Sequence, residues 1–412
     1  MARKSKSKGV KKNQSKVDTN KVSSLKSDGH VDTPKKEENT GADQLSSGLP
    51  INKEINKPEK IKSDKNTTLS ISTSRHFLSW LLGQGMSLAF TTHQASKLFF
   101  IGRMDEEEKL AVEERTIEEC TGIAATENSL YVASSYQIWR FENALPPGVA
   151  HGEYDRVYVP KSSHVTGDVN THEMAIDNDG RLVFVNTLFS CLAYLSRDYS
   201  FFPIWQPDFI TDLVAEDRCH LNGLAMVDGQ PGYVTACGES DTQNGWQDMR
   251  ANGGIVIDIG KNEIICSGLS MPHSPRWHND KLWLLNSGTG YLGYINFETS
   301  EFVPISFCPG YARGMAMINN FAIISVSKGR EPDGFLGLSL ADKLKETGAE
   351  PWCGILVVDL NTGNLMHWMR IDGVVNEIFD LVPLNGVTRP RAIGFKNEEI
   401  YRTISLPPRE DE

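Results

Sequence analysis

From Thr121 onward the chain repeats itself. A short apolar strand, a polar turn and a second apolar strand recur as Thr121-Gly-Ile-Ala…Leu-Tyr-Val, His172-Glu-Met-Ala…Leu-Val-Phe and Asn222-Gly-Leu-Ala…Gly-Tyr-Val. The unit returns as His273-Ser-Pro-Arg-Trp…Leu-Trp-Leu, Arg313-Gly-Met-Ala…Ala-Ile-Ile and Glu377-Ile-Phe-Asp-Leu. The first four leading residues stand 51, 50 and 51 positions apart, and the last two intervals, 40 and 64, together span two periods. One such unit cannot bury both of its faces, whereas a ring of them can. The pattern therefore predicts an all-β fold, a six-bladed β-propeller. Each leading residue then lies on an innermost strand and faces the central axis.

The ends of the chain constrain how the ring closes. Ser-Leu-Ala-Phe-Thr-Thr and Lys-Leu-Phe-Phe-Ile-Gly, between residues 87 and 102, read as strands with no leading strand before them. Glu377 to Leu384 and Arg391 to Phe395 read as inner strands whose outer partners run out near Pro408. The N-terminal strands are thus expected to complete the C-terminal blade, leaving no open sheet edge at the seam. The propeller is placed at residues 73–408. Residues 329–351 form an insertion with an amphipathic helix around Leu338-Ser-Leu-Ala-Asp-Lys-Leu-Lys-Glu, placed as a lid over one face or as a packing helix.

Charge separates the N-terminal segment from this body. Residues 1–65 hold 16 Lys+Arg against 9 Asp+Glu, while the remainder holds 26 against 44. With almost no aromatic residues, residues 1–72 lack the apolar content to offset ordering and read as a disordered Lys-rich tail. The tail could touch polyanions weakly through its charge, and nothing suggests base-specific reading of nucleic acid. No apolar run of transmembrane length exists, so no membrane span is expected. Seven cysteines without CxxC spacing, most of them in or beside apolar strands, fit buried thiols of a reducing compartment, and the expected location is cytoplasmic.

Chemistry concentrates at the axis. His172 and His273 lead their repeats, and His220, two residues before Asn222, shares its face if the strand extends that far. Three imidazoles brought from successive blades can hold a divalent ion of the Zn, Mn or Fe class. Arg313 beside them implies a small anionic ligand, carboxylate or phosphate, with Glu377 as the acid–base group. The alternative is a buried Arg313–Glu377 pair crossing the channel. Because first and second strands are antiparallel, Asn186, Asn286 and Lys328 are expected to rim the same mouth, as substrate-binding groups together with Asn222 and Arg313. Glu173, next to His172 and pointing the other way, is expected to serve a blade interface or to cap a turn.

The Asn222-Gly-Leu-Ala strand, and His273 followed by Leu-Trp, are similar to strands of six-bladed propellers of the gluconolactonase and senescence-marker type. That resemblance implies a divalent ion over the channel, with Asn222 at the place of an Asn ligand. It puts His273 where an Asp ligand stands and His172 where an Asn contacts substrate, a set suited to a softer metal than calcium. More closely, His-Ser-Pro-Arg-Trp followed by Leu-Trp-Leu-Leu-Asn-Ser-Gly resembles an uncharacterised, mainly bacterial propeller family over residues 79–407. This second resemblance implies the fold and the limits of the body. The functional expectation is a metal-dependent hydrolase or lyase acting on a small anion. A non-catalytic ligand-binding or protein-interaction scaffold is the other reading. Oligomeric state is left open.

Overall fold

The computed structural model describes residues 69–104, 109–329, 334–396, 398–404 and 406. Most of the Lys-rich segment and Pro408 lie outside the described residues. The described residues form six sheets, antiparallel but for one outer strand, and these are the blades of a propeller. From the inside outward, blade 1 is Leu381–Asn385, Met86–Thr92, Lys97–Arg103 and Leu110–Thr116. The innermost strands of blades 2 to 6 are Ile123–Ala125, Thr171–Ile176, Leu221–Val227, Pro272–His278 and Tyr311–Ile318. The C-terminal strand is therefore the inner edge of a blade whose other three strands come from the N-terminal part.

Both chain ends also reach past the seam. Ser70–Thr73 pairs antiparallel with Leu365–Asp372, the outer strand of blade 6. This strand starts three residues before the expected limit of the body. Where Arg391 to Phe395 was expected as an inner strand, the strand is Pro390–Ala392, and it runs parallel to the start of Arg156–Val165 on the outside of blade 2. Pro390 opens this strand, a place where the missing N–H of proline is tolerated. Between blades 6 and 1 the helix Phe77–Gly83 buries Phe77, Trp80 and Leu81 in a core that includes Phe90, Phe99, Ile355 and Met369. Three neighbouring blades are thus tied by the two chain ends.

Each blade interface is apolar, and a hydroxyl at the axial end of a second strand reinforces several of them. Thr187 Oγ donates to Leu221 O at 2.6 Å, Ser287 to Ala312 O at 2.5 Å and Ser327 to Ile378 O at 3.2 Å. Thr91 donates to Thr121 O in the same manner. Each hydroxyl satisfies a carbonyl of the next blade's inner strand where that strand diverges from its neighbour. Glycine follows several leading residues because the blades approach closely there. A Cβ on Gly314 would lie 2.8 Å from Asp380 Cα, and one on Gly223 would collide with Pro275.

The helix expected in the insertion spans Ser339–Thr347 and ends at Gly348, whose φ of 62° is left-handed and favours glycine. Leu338, Leu340 and Leu344 are buried against Met271, Phe307, Tyr311 and Phe335. All seven cysteines are buried and unbridged. Among the described residues no helix is long and apolar enough to cross a membrane.

Candidate functional site

Four leading residues, His172, Asn222, His273 and Arg313, line the cavities of the channel, and the hydroxyl contacts fix the register; Thr121, whose carbonyl accepts from Thr91, stands one residue before the equivalent place, which Gly122 holds. Ser327 meets Ile378 as Thr187 meets Leu221 and Ser287 meets Ala312. Phe379 therefore stands in blade 1 where Asn222 and Arg313 stand in theirs. The sequence reading placed Glu377 there, two residues early. Glu377 belongs instead to an upper tier with Asn170, His220, Met271 and Tyr311, each two residues before a leading one. Three of these, Asn170, His220 and Met271, have φ between 49° and 51°. Left-handed backbone at non-glycine residues costs of order 1–3 kcal/mol each and clusters at functional sites.

Three leading residues, His172, His273 and Arg313, lean on the upper-tier residue of the next blade. His172 and His220 have ring centroids 4.8 Å apart, and His273 and Tyr311 5.5 Å. Arg313 Nη1 lies 2.5 Å from Glu377 Oε1, so the buried pair forms, but between neighbouring blades 6 and 1 rather than across the channel. The guanidinium also covers the Phe379 ring, with Cζ 4.0 Å from its centroid.

These tiers enclose a pocket of about 380 Å³ at the mouth. Its floor includes His172, Arg313 and Phe379, and its wall His220, Tyr311 and Glu377. Two insertions cover it. The loop after the second strand of blade 4 brings Trp246, whose ring lies 4.1 Å from that of His220, and Arg250. The blade 6 insertion brings Phe335 and Leu338. Arg250 Nη2 donates to Leu336 O at 2.6 Å, so the two covers are joined. Arg250, Arg313 and Lys328 oppose one carboxylate, Glu377, at this mouth.

The imidazoles are held in one tautomer. His172 Nδ1 lies 3.0 Å from Asn170 O and 2.9 Å from Thr187 Oγ, whose own proton goes to Leu221 O. His273 Nδ1 lies 2.8 Å from Met271 O and 3.0 Å from Ser287 Oγ, which donates to Ala312 O. Both rings thus donate from Nδ1 and carry the lone pair on Nε2. His220 Nδ1 lies 2.8 Å from Asp217 Oδ2. Burial holds His172 well below the ordinary imidazole range, with the charges of His220 and Arg313 adding to the effect, so it is neutral at pH 7.

A second, much smaller cavity of about 10 Å³ lies beneath. His172 borders both spaces, His220 only the upper and His273 only the lower. The three imidazoles therefore do not gather at one point. Among the described residues no three His, Cys, Asp or Glu side chains are grouped to hold a metal ion. His172 and His220 offer two imidazole donors of suitable tautomer, and the set stops short of the three protein ligands of catalytic zinc sites.

Other expected site residues serve the scaffold. Asn186 is fully buried and accepts from Phe189 N at 3.1 Å, closing a turn. Asn286 accepts from Ser270 N at 2.8 Å. The first closes the bend at its strand end, and the second ties its strand end to the segment that enters the inner strand of blade 5. Asn222 borders the lower cavity and donates to Pro272 O at 2.9 Å, bracing blades 4 and 5. Lys328 does line the mouth. Glu173 serves the blade interface, accepting from Leu224 N at 2.7 Å and pairing with Arg276.

The sequence reading missed Asp217, Trp246, Arg250, Phe379 and Asp380. A signal existed for the upper tier, since its members precede the leading residues by two. Residues brought by insertions carry no such periodicity.

The family model for a domain of unknown function, DUF4915, matches residues 75–393. The chain belongs to this family. No curated protein matches the sequence. Among solved structures, DUF4915 here is similar to a chain of a nidogen/laminin complex at 11% identity and TM-score 0.46, covering 73% of this chain and 99% of that one. A protein of unknown function from Bacteroides caccae matches at 11% identity and TM-score 0.35, over 73% and 98%. The computationally designed Ika8 protein matches at 11% and 0.32, over 71% and 76%.

One buried group of this DUF4915 chain gives a pH prediction. Burial, then the charge of Glu173, raises the Asp380 carboxyl to about 7. A carboxyl raised on folding contributes stability that is complete below its unfolded pKa and is lost as pH rises through the folded one. Unfolding midpoints of the native protein should thus fall between about pH 4 and 7 more steeply than those of Asp380→Asn, and level off above. Parallel curves for the two proteins would assign the titration elsewhere.

Proposed function

We propose that the mouth of the channel binds a small anionic molecule and carries out acid–base chemistry on it, of the hydrolase or lyase kind. The observation that carries this reading is the pair of anchored imidazoles, His172 and His220, in a pocket with three cationic side chains and one carboxylate. The surrounding body holds 26 Lys+Arg against 44 Asp+Glu, so such a concentration of positive charge is local. It would attract and orient an anion.

The roles follow from protonation. His220, backed by the Asp217 carboxylate, takes a proton at Nε2, and Asp217 stabilises the imidazolium that forms. His172, neutral and protonated at Nδ1, accepts a hydrogen bond from the ligand at Nε2. Lys328 and Arg250 hold the anionic group, while the apolar faces of Trp246 and Phe335 exclude water. No step in this scheme is routed through a metal ion.

Titration calorimetry with acetate, benzoate and inorganic phosphate tests the binding. Saturable binding of at least one probe is expected, weakened about tenfold by Lys328→Gln or Arg250→Gln, or ~1.4 kcal/mol. No saturation, or unchanged affinity in both variants, refutes the anion site. On a turned-over substrate, Asp217→Asn is expected to lower kcat by roughly 10²–10⁴.

A non-catalytic binding propeller is the second reading, favoured by the closed Arg313–Glu377 pair. It predicts the same anion binding with no turnover of any bound ester or lactone.

A further inference from the structure

The mouth pocket is walled by rings as well as by charge. Trp246 lies on His220, with ring centroids 4.1 Å apart and an interplanar angle of 31°. Phe335 lies on Tyr311, 6.2 Å away and within 10° of parallel. His220 enters the inner strand of blade 4 and Tyr311 begins that of blade 6, so the two ring pairs flank the blade 5 sector. There Met271 lines the same pocket, and it packs with Phe335 on the buried group Leu338, Leu340 and Leu344. A thioether set among rings is a favourable neighbour for an aromatic group. One apolar wall, rich in ring faces, thus runs past three blades.

Size and charge narrow what fits against this wall. Arg250 Nη2 donates to Leu336 O at 2.6 Å, so the two covers meet over the pocket, which suits a discrete molecule rather than a polymer laid across the face. A volume of about 380 Å³ stands near the lower end of the ~300–1,000 Å³ usual for ligand pockets, enough for about one or two fused rings. Arg313 already has the Glu377 carboxylate and His220 that of Asp217. The charges a ligand would balance are therefore those of Lys328 and Arg250. Phosphate is commonly cradled by backbone N–H groups at a helix start. The helix Ser339–Thr347 of the blade 6 cover spends those of Leu340 and Ala341 on Gly288 O and Leu338 O, at 2.9 and 3.1 Å. A flat carboxylate needs no such cradle and matches the edge of a guanidinium.

We propose that the mouth is specific for an aromatic carboxylate, its ring on the wall of Trp246, Met271 and Phe335 and its carboxylate at Lys328 and Arg250. The proposal rests on the anion-binding reading above and names the class of anion. Trp246 and Phe335, carried by different insertions, are the residues that set the preference for a flat ring. Offset or edge-to-face contact between rings adds to what burial alone contributes. A saturated ring of similar size gains the burial without that addition.

Titration calorimetry of the full chain with naphthoate, benzoate, cyclohexanecarboxylate and acetate separates ring, burial and charge. Benzoate is expected to bind about threefold more tightly than cyclohexanecarboxylate, although the saturated ring is the more apolar, and naphthoate at least about tenfold more tightly than acetate. Trp246→Leu keeps apolar bulk and removes the indole face. It is expected to weaken naphthoate about tenfold and to leave acetate unchanged. Phe335→Leu, on the other cover, gives the same readout should Trp246→Leu fail to fold. Aromatic acids that bind no more tightly than cyclohexanecarboxylate, or naphthoate affinity unmoved in both variants, overturn the proposal even where acetate binding that depends on Lys328 upholds the anion site. Naphthamide, the neutral counterpart of naphthoate, reads the other half and is expected to bind about tenfold less tightly. Equal affinity for the amide would overturn the anion site while the ring preference stood, and no saturation with any acid overturns both.

Discussion

Ending the chain after Asn376 is expected to abolish folding of the entire ring. The segment removed contains Ile378, Leu381, Leu384 and Val387, each no more than 3% exposed. Burial of an aliphatic side chain of this size stabilises by ~1.5–3 kcal/mol, so these four alone approach the 5–15 kcal/mol that holds a native domain together. The loss goes further than one strand. Met86–Thr92 would be left with an unpaired edge along the axis, and the Thr91 carbonyl would lose Phe379 N, 2.7 Å away. Circular dichroism and size-exclusion chromatography of the truncated chain should show an unfolded or aggregated protein. A co-expressed peptide covering residues 377–396 should restore part of the folded fraction. A truncated chain with native unfolding cooperativity would mean that the seam contributes little.

The second large effect is expected at Glu377. Replacing it with alanine leaves the Arg313 guanidinium, 9% exposed, without its 2.5 Å carboxylate partner. Breaking a buried pair by removing one member typically costs ~3–5 kcal/mol, because the remaining charge is uncompensated. Glu377→Ala should therefore lower the free energy of unfolding in urea by about that amount. Arg313→Met/Glu377→Leu should recover most of it, since apolar replacement of both partners removes the desolvation cost. A cost below ~1 kcal/mol for Glu377→Ala would show that water at the mouth already solvates the guanidinium as at a surface pair. In that outcome Arg313 is the group open to an anion, which strengthens the binding reading at the expense of the scaffold one.

The repeat made the architecture legible because blade closure is a matter of period and hydrophobicity. The site was legible only where it obeys the same period. His172, His273 and Arg313 were found at the axis for that reason. Glu377 was placed two residues early because no turn signal separates it from Phe379; the Ser327–Ile378 contact that sets the register joins residues 51 apart. Asn186 and Asn286 looked like rim residues by strand alternation, but the side-chain carbonyl of Asn186 closes the bend just after it and that of Asn286 is taken up by Ser270 N. Trp246 and Arg250 arrive on an insertion whose path depends on tertiary contact. The inner strands also carry register shifts, as between His273 and Arg276, so neighbours such as His273 and Ser274 both meet the lower cavity. Simple alternation assigns one of them to the wrong side.

The division of blade 1 between the two ends of the chain has a consequence for biosynthesis. Met86–Thr116 leaves the ribosome some 265 residues ahead of Leu381–Asn385, its inner strand. At elongation rates of about 5–20 residues per second, that interval lasts on the order of ten seconds to a minute. Throughout it the nascent protein carries an open ring, with Met86–Thr92 presenting an apolar edge to any other strand nearby. The finished molecule hides this edge completely, so the period of greatest aggregation risk falls before synthesis ends. Expression at lower temperature or with a holdase chaperone should therefore raise the soluble yield more than any change to the mature surface.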